Sequence, residues 1–119
     1  MKFTKDHEWA KLEGDVAVIG ITDYAAGQLG DVVFVELPSV GAKIKQGSQI
    51  GTIESVKTVS DMNAAVSGEV VEINEELESE PAIVNEDPFG KGWFIKVKLS
   101  NPEEMDALLS EEDYRKLCE

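Results

Sequence analysis

The segment ESVKTVSD, residues 54–61, decides the fold predicted for this chain, because it is nearly symmetrical about its centre. Folding it between Lys57 and Thr58 brings residues of the same type together: Val56 with Val59, Ser55 with Ser60, and Glu54 with Asp61. Valine and threonine favour strands, so the pattern predicts a β-hairpin with Lys57 at its exposed tip. Lys-Thr is a poor two-residue hairpin turn, and we therefore expect a type I or longer turn.

The acids beside Lys57 point to what this lysine does. A catalytic lysine needs a neutral amine, which burial or a second cation favours and neighbouring acids disfavour. An exposed lysine on a stiff corner is instead suited to acylation by another enzyme, which gives the domain a long, flexible arm. Tethering then raises the effective concentration of the arm's cargo to roughly millimolar at a partner's active site. The predicted pairing of Glu54 with Asp61 costs stability, which suggests that another protein recognises the tip.

Composition limits the possible partners. The 119 residues, expected to form one domain over 1–119, carry 24 acids against 11 bases, a net charge of −13. This charge argues against nucleic acid or an anionic membrane as partner and favours proteins with basic patches. The start MKFTKDHEWAK has no secretory or transit character, so we expect a cytoplasmic location, or the mitochondrial matrix only if a transit peptide was removed. Cys118 is expected to be a free thiol without a catalytic role.

Short strand-like runs separated by glycines fill most of the chain, with a hairpin core at about residues 40–75. Thr22 predicts the start of a short helix that ends near Gly27 or Gly30. The acidic stretch 76–92 is expected to be a solvated loop. Asn101 and Glu104 predict a capping box for a C-terminal helix at about 102–117, with a second short turn after Ser110.

The motifs together resemble a known family. They are IESVKTVSD at 53–61, HEW at 7–9, VAVIGITDYA at 16–25, LGDVVFVELP at 29–38, VSGEVVEIN at 66–74 and GWFIKVK at 92–98. This ordered set resembles the H-protein family of the glycine cleavage system over the whole chain. The resemblance implies a mainly β fold, a flattened barrel-sandwich hybrid of the lipoyl/biotinyl type with a short early helix and a C-terminal helix. It also implies lipoate in amide linkage on Lys57.

The resemblance further implies a carrier without its own turnover, so no catalytic residues and no metal are expected. Glycine decarboxylase, a pyridoxal-phosphate enzyme, would load an aminomethyl group onto the arm, and a tetrahydrofolate-dependent aminomethyltransferase would remove the one-carbon unit. A flavin-dependent dihydrolipoyl dehydrogenase would reoxidise the arm, and a lipoate ligase or lipoyl transferase would attach it. A monomer is expected.

Family members store the loaded arm in a cleft, and two positions match residues near it. These are Glu8 of HEW and Asp61 after the lysine, since a carboxylate can hold a primary amine. The chain departs from many members at Asp6, where they have serine, and at Tyr24, where they have histidine. His7 has no predicted chemical task, and Trp9 and Trp93 are expected to be core aromatics.

Alternatives remain open at this stage. Biotin acceptors share the corner lysine but usually have methionine on both sides, where this chain has Val56 and Thr58. An H-like protein that donates lipoate to other complexes would have the same hairpin. An unmodified β-sandwich adaptor that binds through its acidic face is a third possibility, from a different class.

Overall fold

The fold is a sandwich of two antiparallel sheets, seen in a computed structural model that describes residues 1–118. The strands are β1 Lys2–Phe3, β2 Glu8–Glu13, β3 Val16–Ile21, β4 Val32–Glu36, β5 Lys43–Ile44, β6 Gln49–Ser55, β7 Val59–Asn63, β8 Gly68–Ile73 and β9 Ile95–Leu99. One sheet has the order β1-β2-β3-β9-β8-β5 and the other the order β4-β6-β7. The predicted mainly β sandwich is confirmed. Within residues 1–118 neither sheet closes into a barrel.

One hydrophobic core joins the two sheets. It is supplied by the long apolar run of β3 and by the inward-facing residues of the smaller sheet, such as Val35, Ile53 and Met62. Alternation along β6 buries Ile53 and Ser55 and leaves Glu54 exposed, as expected for a sheet with one face on the core. This packing fixes the smaller sheet, and with it the hairpin at its end.

The predicted early helix is confirmed as α1, Asp23–Leu29. The Thr22 side chain caps its start by accepting a hydrogen bond from the Ala25 N–H at 3.2 Å. Gly30 ends it with φ of 76°, a left-handed value that favours glycine. This short helix connects β3 to β4 and lies beside the hairpin tip.

The acidic stretch is not the predicted loop, because it contains two one-turn helices, α2 Glu76–Ser79 and α3 Ile83–Glu86. Leu77 and Val84 are fully buried, one from each turn. The surrounding acids hid these two apolar anchors from a composition-based prediction. Asn85 then reaches back to α1, where its amide donates to the Gly30 carbonyl at 2.8 Å.

The C-terminal helical region is present, but the helix predicted over about 102–117 is divided into α4 Glu103–Asp106 and α5 Glu111–Cys118. Leu109 lies between them and pairs with Phe3 through two backbone hydrogen bonds, which interrupts the helix. The Asn101–Glu104 capping box is absent from the described chain. The Glu104 carboxylate instead accepts hydrogen bonds from the backbone N–H and hydroxyl of Ser67. The turn predicted after Ser110 is confirmed by the Asp113 N–H, which donates to the Ser110 hydroxyl at 3.2 Å.

Candidate functional site: an exposed lysine beside an acidic cleft

The hairpin predicted from residues 54–61 is present, but its centre lies one residue earlier than the sequence symmetry suggests. Glu54 pairs with Val59 and Thr52 pairs with Asp61. Glu54 and Asp61 are therefore diagonal neighbours and do not lie opposite each other. The loss of stability predicted from two like charges in direct cross-strand pairing is thus wrong. The turn spans Ser55 to Thr58, which leaves Lys57 exposed at the tip.

A buried serine explains why this turn forms without a glycine. The Ser55 hydroxyl oxygen accepts from the backbone N–H groups of Lys57 and Thr58 at 3.2 and 3.1 Å. The Ser55 N–H donates to the Thr58 carbonyl at 2.8 Å, and the Val56 N–H donates to the Asp31 carbonyl at 3.0 Å. A side chain thus replaces the backbone partners that an ordinary hairpin turn supplies. These bonds hold the lysine on a fixed corner.

The surroundings of Lys57 are apolar as well as acidic. Four side chains near the tip are between 48% and 66% exposed: Val33, Phe34, Val56 and Val59. Phe34, Glu54 and Val59 form one row across the smaller sheet, on its outer face. The stem of Lys57 lies against Gly30, where an added methyl group would come within 3.0 Å of the lysine Cε. The Lys57 side chain therefore extends from the hairpin tip over the C-terminal end of α1.

A cleft of about 290 Å³ lies next to this corner, between the N-terminal segment, α1 and the hairpin. Both predicted cleft residues, Glu8 and Asp61, line it, and so do Asp6, His7 and Tyr24. Asp61 follows Lys57 by four residues, so at about 3.3 Å per strand residue its backbone lies no more than roughly 13 Å from the lysine backbone. A lysine extended by an acyl chain can span that distance.

Sequence reasoning named Tyr24 of α1 but missed the other α1 residues of this cleft. Gln28 and Leu29 line it together with Ala25. The sequence spacing could have indicated Gln28, because it lies four residues after Tyr24 and thus on the same face of the helix. Leu29 and Ile53 add apolar lining, so the cleft has an apolar wall as well as an acidic one.

Glu8 is the chemically unusual group of the cleft. Its side chain is only 3% exposed. Burial raises the pKa of Glu8 from 4.5 to about 7, against the hydrogen bond that Thr4 donates to the carboxylate at 2.9 Å, and the nearby Asp6 raises it further. The backbone N–H of Asn63 donates to the second oxygen at 3.4 Å. A cation entering the cleft would favour the charged form of this carboxylate.

The two tryptophans differ from each other. Trp9 is a core residue as predicted, 1% exposed, and its indole N–H donates to the Pro88 carbonyl at 2.9 Å. Trp93 is half-buried against the core cluster that contains Trp9, with the Lys96 ammonium 5.0 Å from its ring centre, so the expected core position holds only in part for this residue. Within residues 1–118 no cluster of three metal-ligating side chains occurs.

Comparison with known proteins decides the family. The sequence model described as "Glycine cleavage H-protein" matches residues 1–119, which is the whole chain. The chain belongs to this family. A glycine cleavage system H protein of Carboxydothermus hydrogenoformans is 56% identical over 119 residues, covering 100% of this chain and 92% of that protein. A protein of the same name from Xanthobacter autotrophicus is 58% identical over 97% of this chain and 92% of its own length.

Two further relatives extend the comparison. The mitochondrial glycine cleavage system H protein of Oryza sativa is 55% identical over 100% of this chain and 73% of its own length. The crystal structure of a glycine cleavage system H protein from Mycobacterium marinum superimposes with a TM-score of 0.89 at 39% identity, covering 97% of this chain and 93% of that one. The H-protein fold expected from the sequence is thereby confirmed. None of the helices described in residues 1–118 is long and apolar enough to span a membrane. The cytoplasmic location stays a prediction.

Proposed function

We propose that this chain is the lipoyl-bearing carrier of a glycine cleavage system, with lipoate attached to Lys57. It would receive an aminomethyl group from glycine decarboxylase and deliver it to a tetrahydrofolate-dependent aminomethyltransferase. Dihydrolipoyl dehydrogenase would then reoxidise the arm, and a lipoate ligase or lipoyl transferase would install it. The observation that carries the proposal is the position of Lys57, exposed on a hydrogen-bonded corner beside an acidic cleft.

The corner fits covalent attachment of an arm. An attaching enzyme must reach the lysine amine itself, and the exposed tip permits this. The apolar residues around the lysine offer a surface for that enzyme, because exposed apolar patches are common at protein contacts. Lipoate, when bound, supplies a dithiolane whose sulfur accepts the cargo and which is reduced and reoxidised in the cycle.

The cleft fits storage of a cargo that ends in a primary amine. Glu8 and Asp61 present carboxylates from two sides, and a carboxylate binds an ammonium through a charge-assisted hydrogen bond. Leu29 and Ile53 provide apolar surface for the hydrocarbon part of an arm. By enclosing the amine, these residues would limit its exposure to water.

The proposed role is that of a carrier and not of an enzyme. The chain's acids would attract partners with basic patches, and the chemistry would take place in those partners. A lipoate donor for other complexes is the second candidate, because the same exposed lysine would serve it. An unmodified adaptor would need neither the fixed lysine corner nor the cleft beside it.

Exchange of the glycine carboxyl group with bicarbonate tests the proposal. With purified glycine decarboxylase, the lipoylated protein should support exchange, and Lys57→Arg should abolish it while leaving the fold unchanged. Lys45→Arg is the matched control, because Lys45 is also exposed on the hairpin core but lies away from the tip. Exchange retained by Lys57→Arg would refute the proposal. Transfer of lipoate from this protein to another lipoyl domain, without any exchange, would favour the donor role.

Storage of the cargo gives a second prediction. Glu8→Ala should leave lipoylation intact but should speed loss of the aminomethyl group from the loaded protein in water. Removing one charge-assisted hydrogen bond is worth about 2 kcal/mol, which corresponds to a rate increase of roughly thirtyfold. The measurement is formaldehyde release over time. Equal decay rates for variant and parent would exclude Glu8 from storage.

A further inference from the structure

Two hydrogen bonds connect Thr22 to His7 through the Tyr114 hydroxyl, and His7 lines the cleft. The Tyr114 hydroxyl of α5 lies 2.8 Å from His7 Nδ1 and 2.6 Å from the Thr22 hydroxyl. Tyr114 and Thr22 are both fully buried. These hydrogen bonds therefore join two walls of the cleft, the N-terminal segment that contains His7 and the helix that Thr22 caps.

The backbone of His7 is fixed as well. His7 is the one non-glycine residue with positive φ among residues 1–118, at 69°. Its N–H donates to the Thr4 carbonyl at 3.1 Å, and its carbonyl accepts from the Thr22 N–H at 3.0 Å. A left-handed conformation persists only where the surrounding structure enforces it. The ring is thus held by both its backbone and Tyr114.

Counting donors and acceptors shows which group donates in each of these two hydrogen bonds. The Thr22 hydroxyl is buried, so its hydrogen needs an acceptor, and within residues 1–118 the Tyr114 oxygen is the one in reach. Tyr114 must then donate its hydrogen onward to His7 Nδ1. In the reverse direction the Thr22 hydrogen would be buried without a partner, which is costly. The nearby Cys118 thiol is a weaker acceptor than a ring nitrogen.

This direction determines the state of the histidine. A ring that accepts at Nδ1 is neutral and carries its hydrogen on Nε2. Because Nδ1 faces the buried phenol, the Nε2 edge is the part of the ring available to the cleft that His7 lines. Tyr24 packs against the same ring, with centres 4.8 Å apart, and limits its rotation.

We propose that Tyr114 is a positioning residue that holds His7 as the neutral Nε2–H tautomer, so that a ring N–H donor faces the cleft and binds an acceptor atom of the stored arm. The occupant of the cleft rests on the function proposed above, whereas the tautomer does not. The carboxylates of the cleft would then hold the amine, and His7 would hold a neutral acceptor further along the arm.

Nitrogen NMR of the imidazole tests the positioning directly, because His7 is the only histidine in the sequence. At pH 8, where an ordinary imidazole is neutral, the parent protein should show a proton on Nε2 and a hydrogen-bonded Nδ1. Tyr114→Phe should move the Nδ1 resonance towards that of an unbonded nitrogen and allow both tautomers. Tyr24→Phe is the matched control, because it removes the other tyrosine hydroxyl beside the same ring and should leave the spectrum unchanged.

A proton on Nδ1 in the parent protein would overturn the proposal, as would identical spectra for the parent and Tyr114→Phe. The parent spectrum alone is decisive should Tyr114→Phe fail to fold. In the loaded protein, Tyr114→Phe should also increase the rate of aminomethyl loss about fivefold, which corresponds to the free energy of one ordinary hydrogen bond. An unchanged loss rate would refute the contact with the arm. Intact mass of the same samples shows separately whether lipoate is attached. Failure of the proposed function is therefore distinguishable from failure of the tautomer proposal.

Discussion

Lys57 and Glu8 are charged residues with opposite environments, and each environment suits a different task. Lys57 is exposed, whereas Glu8 is 3% exposed and loses most of its hydration. A buried carboxyl group with a pKa of about 7 is partly protonated at neutral pH, and an ammonium that enters the cleft would favour its ionised form. The same burial makes Glu8 sensitive to pH when the cleft holds no cation.

Glu8→Gln should change how stability depends on pH. The folded-state pKa of Glu8 is about 7 and its ordinary value is 4.5, so the folded protein binds the proton more tightly than the unfolded chain. The parent should therefore lose stability relative to Glu8→Gln as pH rises from about 4.5 to about 7, by at most roughly 3 kcal/mol. Urea unfolding at several pH values measures this difference.

Asp61→Asn is the matched control for that series. Asp61 lines the same cleft but is exposed, and its carboxylate accepts from the Gln49 amide at 3.0 Å. Its replacement should not reproduce the effect of Glu8→Gln, because Asp61 is not buried. A constant difference between parent and Glu8→Gln across this pH range would contradict the burial argument.

The hairpin is the element on which the proposed carrier role depends, and Ser55 holds its turn. Ser55→Ala should lower the free energy of unfolding by about 1–2 kcal/mol, since it removes a buried hydroxyl that accepts from two backbone N–H groups. It should also slow lipoate attachment to Lys57 several-fold, because a looser tip presents the amine less often in one position. Attachment is measured by intact mass against time with a lipoate ligase.

Ser60→Ala provides the control within the same hairpin. The Ser60 hydroxyl makes one long contact, 3.4 Å from the Asp61 carbonyl, and does not support the turn. Its loss should leave the attachment rate unchanged. Equal rates for Ser55→Ala and the parent would show that the turn does not need this serine.

The elements show what the sequence could and could not predict. Strand runs and the Thr22 cap depend on local patterns, and the structure confirms them. The hairpin register was wrong by one residue at its centre, because the buried Ser55 hydroxyl sets the turn and sequence symmetry does not reveal burial. Glu104 matched a capping box, yet its carboxylate binds Ser67 from a distant strand. Such long-range partners are not visible in local sequence.

The candidate site was predictable only in part for the same reason. Glu8 and Asp61 came from family resemblance, and the structure places both at the cleft. The resemblance gave no task to His7, because its partner Tyr114 is 107 residues away in sequence. The raised pKa of Glu8 likewise follows from tertiary burial and not from its neighbours in the chain.

At the scale of the whole molecule, the net charge of −13 should govern encounters with partner enzymes. Attraction between this charge and basic patches speeds association, and salt screens it over about 10 Å at 0.1 M. The apparent affinity for glycine decarboxylase should therefore fall several-fold between 0.05 and 0.5 M salt, as measured by exchange rate against carrier concentration. An affinity independent of salt would show that charge does not steer the encounter.

The central claim is that Lys57 is held out at a fixed corner for covalent attachment of an acyl arm. Intact mass and peptide mapping of protein from lipoate-replete cells test it most directly. We predict one added lipoyl group, located on Lys57 and absent from Lys57→Arg. An unmodified parent protein, or a lipoyl group on another lysine, would contradict the account.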